Sequence, residues 1–295
     1  MDGGRPRHGD EEDPRLSEVN VEQRKRWGAT EGNHWVDWAD RFDRMLAPYG
    51  DAVIRTASPE PGEAALDVGC GNGALSLDLA ARVGPTGSVT GVDLSPPMLA
   101  LARQRAGERS LGNVRFIEDD AQTGDFGQEQ YDLITSRFGV MFFDDPVAAF
   151  ANLRRAAKPD ARLAFACWQP VIHNQWFAIT AETLIQFAPP PPPPPPGAPG
   201  PFAFSEPEFT RGVLEEAGWA DVELTGFEAL QWLGSTVQEV VEFLQPTELA
   251  KSFLVDADEE TVTKAWEAVA KKLEPHLTDE GLLLKGRIWL VSASH

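Results

Sequence analysis

The stretch Leu66-Asp67-Val68-Gly69-Cys70-Gly71-Asn72-Gly73-Ala74 constrains this chain more than any other. An apolar strand runs directly into a glycine-rich turn and out into a helix. Glycines at such a turn let the backbone take positive φ and let a ligand approach without meeting a Cβ. Asp93 lies 24 residues beyond Gly69 and ends a second strand, Val89-Thr90-Gly91-Val92-Asp93, where a carboxylate reaches two ribose hydroxyls. These two features predict an α/β, Rossmann-like fold that binds an adenosine-containing cofactor. Spacing does not choose the cofactor, because Gly69-x-Gly71-x-x-Ala74 also satisfies the relaxed dinucleotide fingerprint and keeps an NAD(P)-dependent oxidoreductase open. Three features weigh against that alternative. Asp67 stands two residues before the first glycine, Gly73 extends the pattern to G-x-G-x-G, and no Tyr-x-x-x-Lys pair accompanies Tyr49 or Tyr131.

Strand and helix signals alternate downstream, as in a parallel sheet with crossover helices. Strands are expected at Ala64–Gly69, Ser88–Asp93, Val114–Ile117, Tyr131–Ser136 and Arg162–Trp168. Helices are expected at Ala74–Val83, at Pro96–Ala106 capped by Ser95, and at Pro146–Ala157 capped by Asp145. The C-terminal part predicts helices at Pro207–Ala217, Thr236–Leu244 and Asp258–Leu273, and strands at Val222–Leu233 and Arg287–Ser292. Before the core, Trp27, Trp35, Trp38, Phe42, Met45 and Leu46 recur at helical spacing, which predicts one or two amphipathic helices. The resulting division is a disordered tail over 1–20, an N-terminal helical lid over 21–57, a cofactor-binding core over 58–170, a Pro-rich lid or insertion over 171–204, and the rest of the core with added helices over 205–295. Eight consecutive prolines, Pro189–Pro196, cannot join a sheet or a helix interior; as polyproline II they span about 25 Å. They serve either as a lid element or as an exposed connector.

Charge and composition exclude several classes. Twenty-six Lys+Arg against 46 Asp+Glu give a formal charge of -20, a field that repels phosphate backbones, so no nucleic-acid partner is expected. No apolar run reaches the roughly 18 to 20 residues of a membrane span, and residues 1–5 carry no apolar signal core, so the expectation is a cytoplasmic protein without a span. Cys70 and Cys167 are read as reduced, and the scattered histidines form no metal site.

On these residues the chain resembles the class I S-adenosylmethionine-dependent methyltransferases, in the bacterial branch related to quinone-biosynthesis and small-molecule methyltransferases. Asp67–Gly73 is similar to their first motif and Val89–Met98 to their second. Asp119-Asp120-Ala121 is similar to the acid-plus-small pair that contacts adenine, and Tyr131–Pro146 resembles their fourth strand and the segment after it. Lys158-Pro159 resembles the next motif, with Asp160-Ala161 in place of the usual Gly-Gly. The resemblance implies a seven-stranded, mostly parallel sheet with the last strand antiparallel, and S-adenosylmethionine as cofactor. It also implies cofactor contacts from Asp67, Gly69, Cys70, Gly71, Asp93, Leu94, Met98, Asp120, Ala121, Ser136 and Arg137. Cys167–Pro170, Asn174, Trp176 and the segment ending Gly200-Pro201-Phe202-Ala203-Phe204 resemble features of one large bacterial subfamily.

The acceptor would be a small, hydrophobic or aromatic molecule methylated on O, N or C, with a peptide or protein side chain or carboxylate as the alternative. Its wall is expected from Trp27, Trp35, Phe138, Met141, Trp168, Asn174, Trp176 and Phe204, whereas Trp38, Phe42 and Phe143 read as core. A hydroxyl acceptor gains from a general base, for which His173 and His34 are the candidates. The expected assembly is a monomer or homodimer.

Overall fold

The computed structural model describes residues 20–195 and 197–295. Three helices precede the sheet: α1 (Val21–Gly28), α2 (Thr30–Asp37) and α3 (Ala39–Ala57). Only α3 has a fully formed apolar stripe, with Met45, Leu46, Tyr49, Val53 and Ile54 buried against the sheet.

The core continues as β1 (Ala64–Val68), α4 (Ala74–Val83), β2 (Ser88–Asp93), α5 (Pro96–Glu108), β3 (Val114–Glu118), β4 (Tyr131–Arg137), α6 (Pro146–Ala156) and β5 (Ala157–Trp168). Two helices, α7 (Gln175–Leu184) and α8 (Pro207–Glu216), lead to β6 (Ala220–Gly234). The chain ends in α9 (Val237–Leu244), α10 (Glu248–Leu254), α11 (Glu259–Leu273), the two-residue β7 (Leu277–Thr278) and β8 (Gly281–Ser294). Along the sheet the order is β3-β2-β1-β4-β5-β8-β6, with β7 paired to β8 off that path. Strands β1 to β5 pair in parallel, and β8 runs antiparallel between β5 and β6. The seven-stranded, mostly parallel sheet with an inserted antiparallel last strand is therefore present, with β7 as a short addition.

Strand order reverses between β1 and β4, so their carboxyl ends open onto a crevice where this architecture binds ligands. Residues Ala65 to Val68 of β1 are buried on both faces, as a central parallel strand requires. The Asp145 side chain caps α6 by accepting from Ala148 N–H at 3.0 Å.

The structure corrects several expectations. The region before the core forms three helices rather than one or two. Ser95 caps nothing with its side chain; instead its backbone N–H donates to Asp93 Oδ1 at 2.9 Å, because the carboxylate already occupies the start of α5. Strand β5 begins five residues earlier than Arg162, and Asp160, with φ of 66°, sits in the left-handed region where the usual motif has glycine. Helices α7 and α10 had no strong periodic signal. Of the disordered tail expected over 1–20, residues 1–19 lie outside the described residues, whereas Asn20 is buried and hydrogen-bonded, because Asp120 and the Asp144 N–H both find partners in its amide. Among the described residues no helix is long and apolar enough to cross a membrane, and no group of three or more His, Cys, Asp or Glu is placed to hold a metal ion.

Candidate active site

A cavity of about 240 Å³ opens at the reversal point. Its floor is the loop after β1. Gly69 (φ 62°) packs so tightly that a Cβ there would stand 2.6 Å from Gly139 Cα, and a Cβ on Gly71 (φ 54°) would stand 2.6 Å from Met98 Cε. The β1 and β4 loops are thus pressed together backbone to backbone. Ser136 fastens them, donating to Val68 O at 2.7 Å and accepting from Gly139 N–H at 3.1 Å.

Two buried acids organise the loop. Asp67 accepts from Ser76 Oγ at 2.5 Å and Thr135 Oγ1 at 3.3 Å; burial pushes its carboxyl up to about 7, against those hydrogen bonds and the Arg137 charge. Asp93 accepts from Gly71 N–H at 2.7 Å and Ser95 N–H at 2.9 Å, and burial raises it to about 6 despite the backbone donors. Cys70 lies between them, and burial beside both carboxylates holds its thiol protonated well above the ordinary thiol range. Asn72 is buried in the same loop with Nδ2 unpaired.

After β3, Asp120 accepts from Gln122 N–H at 2.9 Å and from Asn20 Nδ2 at 2.8 Å. Asn20 Oδ1 accepts from Asp144 N–H at 3.0 Å, so the start of α1 is tied to both loops that border the cleft. Asp119 accepts from Asp120 N–H at 2.8 Å and is shifted upward by partial burial.

Above the polar floor the wall is aromatic. Trp35 and Phe42 stack at 3.8 Å, Phe138 and Trp168 at 4.1 Å, and Trp27 meets Phe142 edge-on at 5.1 Å. Trp176, Phe177 and Pro201 enter from the insertion, and Phe243, Leu244, Thr247 and Leu249 from α9 to α10.

Of the residues expected to touch cofactor, Asp67, Gly69, Cys70, Gly71, Asp93, Leu94, Met98, Asp120, Ala121 and Arg137 line this one cavity; Ser136 does not, being the clasp beneath it. Of those expected at the acceptor, Trp27, Trp35, Phe138, Met141, Trp168 and Trp176 line it. Asn174 stands outside, its side chain used to join Gln169 O to Arg287 N–H, and Phe204 is packed against Phe150 and Phe165. His173 is exposed and away from the cavity, while His34 lines it. Phe42 and Phe143, read as core, also face the cavity. The sequence reading missed Asn20, Asn72, Phe243 and Thr247; Asn72 sits inside the glycine motif and could have been named, whereas the other three have no signal but their position in the fold.

One residue outside the cavity sets its shape. Buried Asn152 on α6 donates to Ala121 O at 3.0 Å and Gly124 O at 2.9 Å, pinning the loop that carries Asp119 and Asp120. Asn152→Ala strands two buried carbonyls and is expected to cost about 1–3 kcal/mol in urea unfolding. Binding of S-adenosylhomocysteine should also weaken several-fold in calorimetry; unchanged affinity would mean that the loop holds itself.

Residues 65–160 match the family described as a methyltransferase domain. The chain is 35% identical over 128 residues to aklanonic acid methyltransferase DauC of Streptomyces sp. (strain C5), covering 42% of this chain and 58% of the relative. It is 33% identical over 129 residues to a 2-phytyl-1,4-naphtoquinone methyltransferase of Nostoc sp., covering 43% and 56%. The chain thus spans a little over half the length of these curated relatives. In fold it is similar to phosphoethanolamine N-methyltransferase 2 of Haemonchus contortus, solved with S-adenosyl-L-methionine, at TM-score 0.51 and 18% identity, covering 84% of this chain and 52% of that one. The likeness to methyltransferases is thus concentrated in the strand and helix alternation that carries the glycine loop and the two acids.

Proposed function

We propose that this protein moves the methyl group of S-adenosylmethionine to O, N or C of a small, largely aromatic metabolite. The observation that carries the reading is the union, in one cavity, of the glycine floor with its two acids and a wall of paired aromatic rings. The floor fits the cofactor: Gly69 and Gly71 take positive φ and carry no Cβ on the loop that lines the cavity, and Asp93 stands at its edge. When bound, the cofactor supplies an electrophilic methyl on a sulfonium.

The chain's own residues position and shield. Asp93, held at the end of β2, is placed for the ribose hydroxyls, and Asp120, with Asp119 as rival, for the adenine. Asp67 orders the loop through Ser76, while Gly69 and the chain at Ser136 and Arg137 flank the methionine portion. The aromatic wall excludes water and holds an acceptor in line, and this alignment supplies several kcal/mol. The apolar wall of paired aromatic rings supports a flat, apolar metabolite over a peptide, whose backbone would need polar partners along its length. The Pro-rich segment serves as a lid: Gly200 N–H donates to Met141 O at 3.0 Å and Pro201 reaches the cavity. His34 is the histidine placed to take a hydroxyl proton. The protein acts in the cytoplasm as a monomer or homodimer and takes no nucleic acid.

The test is calorimetric titration with S-adenosylhomocysteine, with NAD and NADP alongside. Micromolar binding of the first alone is the expected result. Nicotinamide binding in its place would return Gly69–Ala74 to the dinucleotide reading.

A further inference from the structure

The chain itself supplies a partner for the acid placed to meet adenine. Asp120, 2% exposed, accepts from Gln122 N–H at 2.9 Å on Oδ1 and from Asn20 Nδ2 at 2.8 Å on Oδ2. Asn20 lines the same cavity as Asp120. Its amide also reaches Gln122 Oε1 at 3.3 Å through Nδ2, and its Oδ1 accepts from Asp144 N–H at 3.0 Å. One turn on, Arg24 Nη2 stands 3.8 Å from the Asp120 oxygen that Asn20 occupies. Helix α1 is otherwise weakly held: none of its eight residues is buried, and no side chain caps its first turn. A helix that short is marginal without packing, so the Asn20 bonds and the edge-on contacts of Trp27 with Trp35 and Phe142 carry much of its docking.

Resting on the proposed reading that Asp120 meets the adenine, we infer that Asn20 is a built-in stand-in for the adenine amino group. A side-chain amide and the adenine edge both present a planar NH2, and a carboxylate accepts from either. Asn20 holds Oδ2, the Asp120 oxygen that the backbone N–H of Gln122 leaves free. The amide and the amino group therefore compete for one acceptor, and cofactor binding breaks one charge-assisted hydrogen bond to make another. This competition lowers the apparent affinity for cofactor in proportion to the time that the acceptor is taken. It also couples α1 to the cofactor. The amino group that displaces Asn20 from Asp120 unfastens the start of α1, and so the helix that carries Trp27, from the loop after β3. A purine without the amino group does not contest Oδ2 and leaves the fastening closed.

The test compares the full wild-type chain with Asn20→Gly, which removes the amide and tolerates the φ of 54° at this position. Calorimetric titration with S-adenosylhomocysteine is expected to show the variant binding about three- to tenfold more tightly, the gain from freeing one acceptor. Adenosine and purine riboside, which lacks the amino group, separate this contact from a general loosening of α1. The variant should gain affinity for adenosine by a similar factor and gain none for purine riboside. Unchanged or weaker binding of S-adenosylhomocysteine by Asn20→Gly overturns the inference, because Asn20 would then support Asp120 rather than compete for it. An equal gain for the two nucleosides overturns it as well, since the relief would come from α1 and not from Oδ2. Failure of S-adenosylhomocysteine to bind either protein is a separate result that strikes the methyltransferase reading.

Discussion

Gly69→Ala is expected to weaken binding of S-adenosylhomocysteine on the order of a hundredfold while leaving a folded protein. The backbone at Gly69 has φ of 62°, where an L-residue pays roughly 1–2 kcal/mol. The new methyl group would also stand 2.6 Å from Gly139 Cα. That neighbour is backbone on the opposing loop, held by Ser136, and cannot turn aside as a side chain could. The two loops must therefore part by a few tenths of an ångström or more, and the floor opens where the methionine portion is to lie. Such a shift in a preorganised site costs on the order of a hundredfold in affinity. Gly71→Ala is the contrast. Its clash is with Met98 Cε, the far end of a flexible side chain, so its effect should be smaller in both calorimetry and thermal melting. Equal losses in the two variants would show that φ alone, not the approach of the loops, governs the floor.

The same contrast separates what the sequence could and could not say. The β1 loop, Asp93 and the strand and helix alternation up to Trp168 are written in local patterns: apolar runs, glycine spacing, an acid at a strand end. Their chemistry is determined within a few residues, so Asp67, Gly69, Gly71 and Asp93 meet in one cavity as expected. The aromatic wall obeys no such rule. Phe42 and Phe243 are 201 positions apart and 5.0 Å apart in space, and a buried aromatic on a helix reads the same whether it faces core or cavity. Asn174 and His173 show the converse difficulty. They are adjacent in sequence, yet one is sealed into a hydrogen-bond joint between Gln169 and Arg287 and the other lies in solvent. Nothing local distinguishes them, because the joint is made by β8, more than a hundred residues away.

Protonation of Asp93 should push stability and cofactor affinity in opposite directions. Its folded pKa of about 6 lies above the ordinary 3.8, so the native state holds the proton more tightly than the unfolded chain does. Its contribution favours the fold at a pH below the ordinary value and is lost as the pH rises through about 6. Allowing for water in the cleft, the loss is on the order of 2 kcal/mol for the empty protein. Cofactor binding has the opposite sign, because the carboxylate accepts from ribose hydroxyls only when ionised. Affinity for S-adenosylhomocysteine should therefore climb between about pH 5 and pH 7, with proton release near pH 6 visible in calorimetry run in two buffers of different ionisation enthalpy. Asp67, raised to about 7, titrates in a neighbouring window, so the assignment needs a variant. Asp93→Asn should bind at least tenfold more weakly, lose the limb near pH 6, retain any limb near pH 7, and flatten the pH dependence of urea unfolding across the lower window. A wild-type affinity that is level across this range, or an asparagine variant that binds as tightly as the wild type, would detach Asp93 from the ribose and leave it as the residue that fixes Gly71 and Ser95 in place.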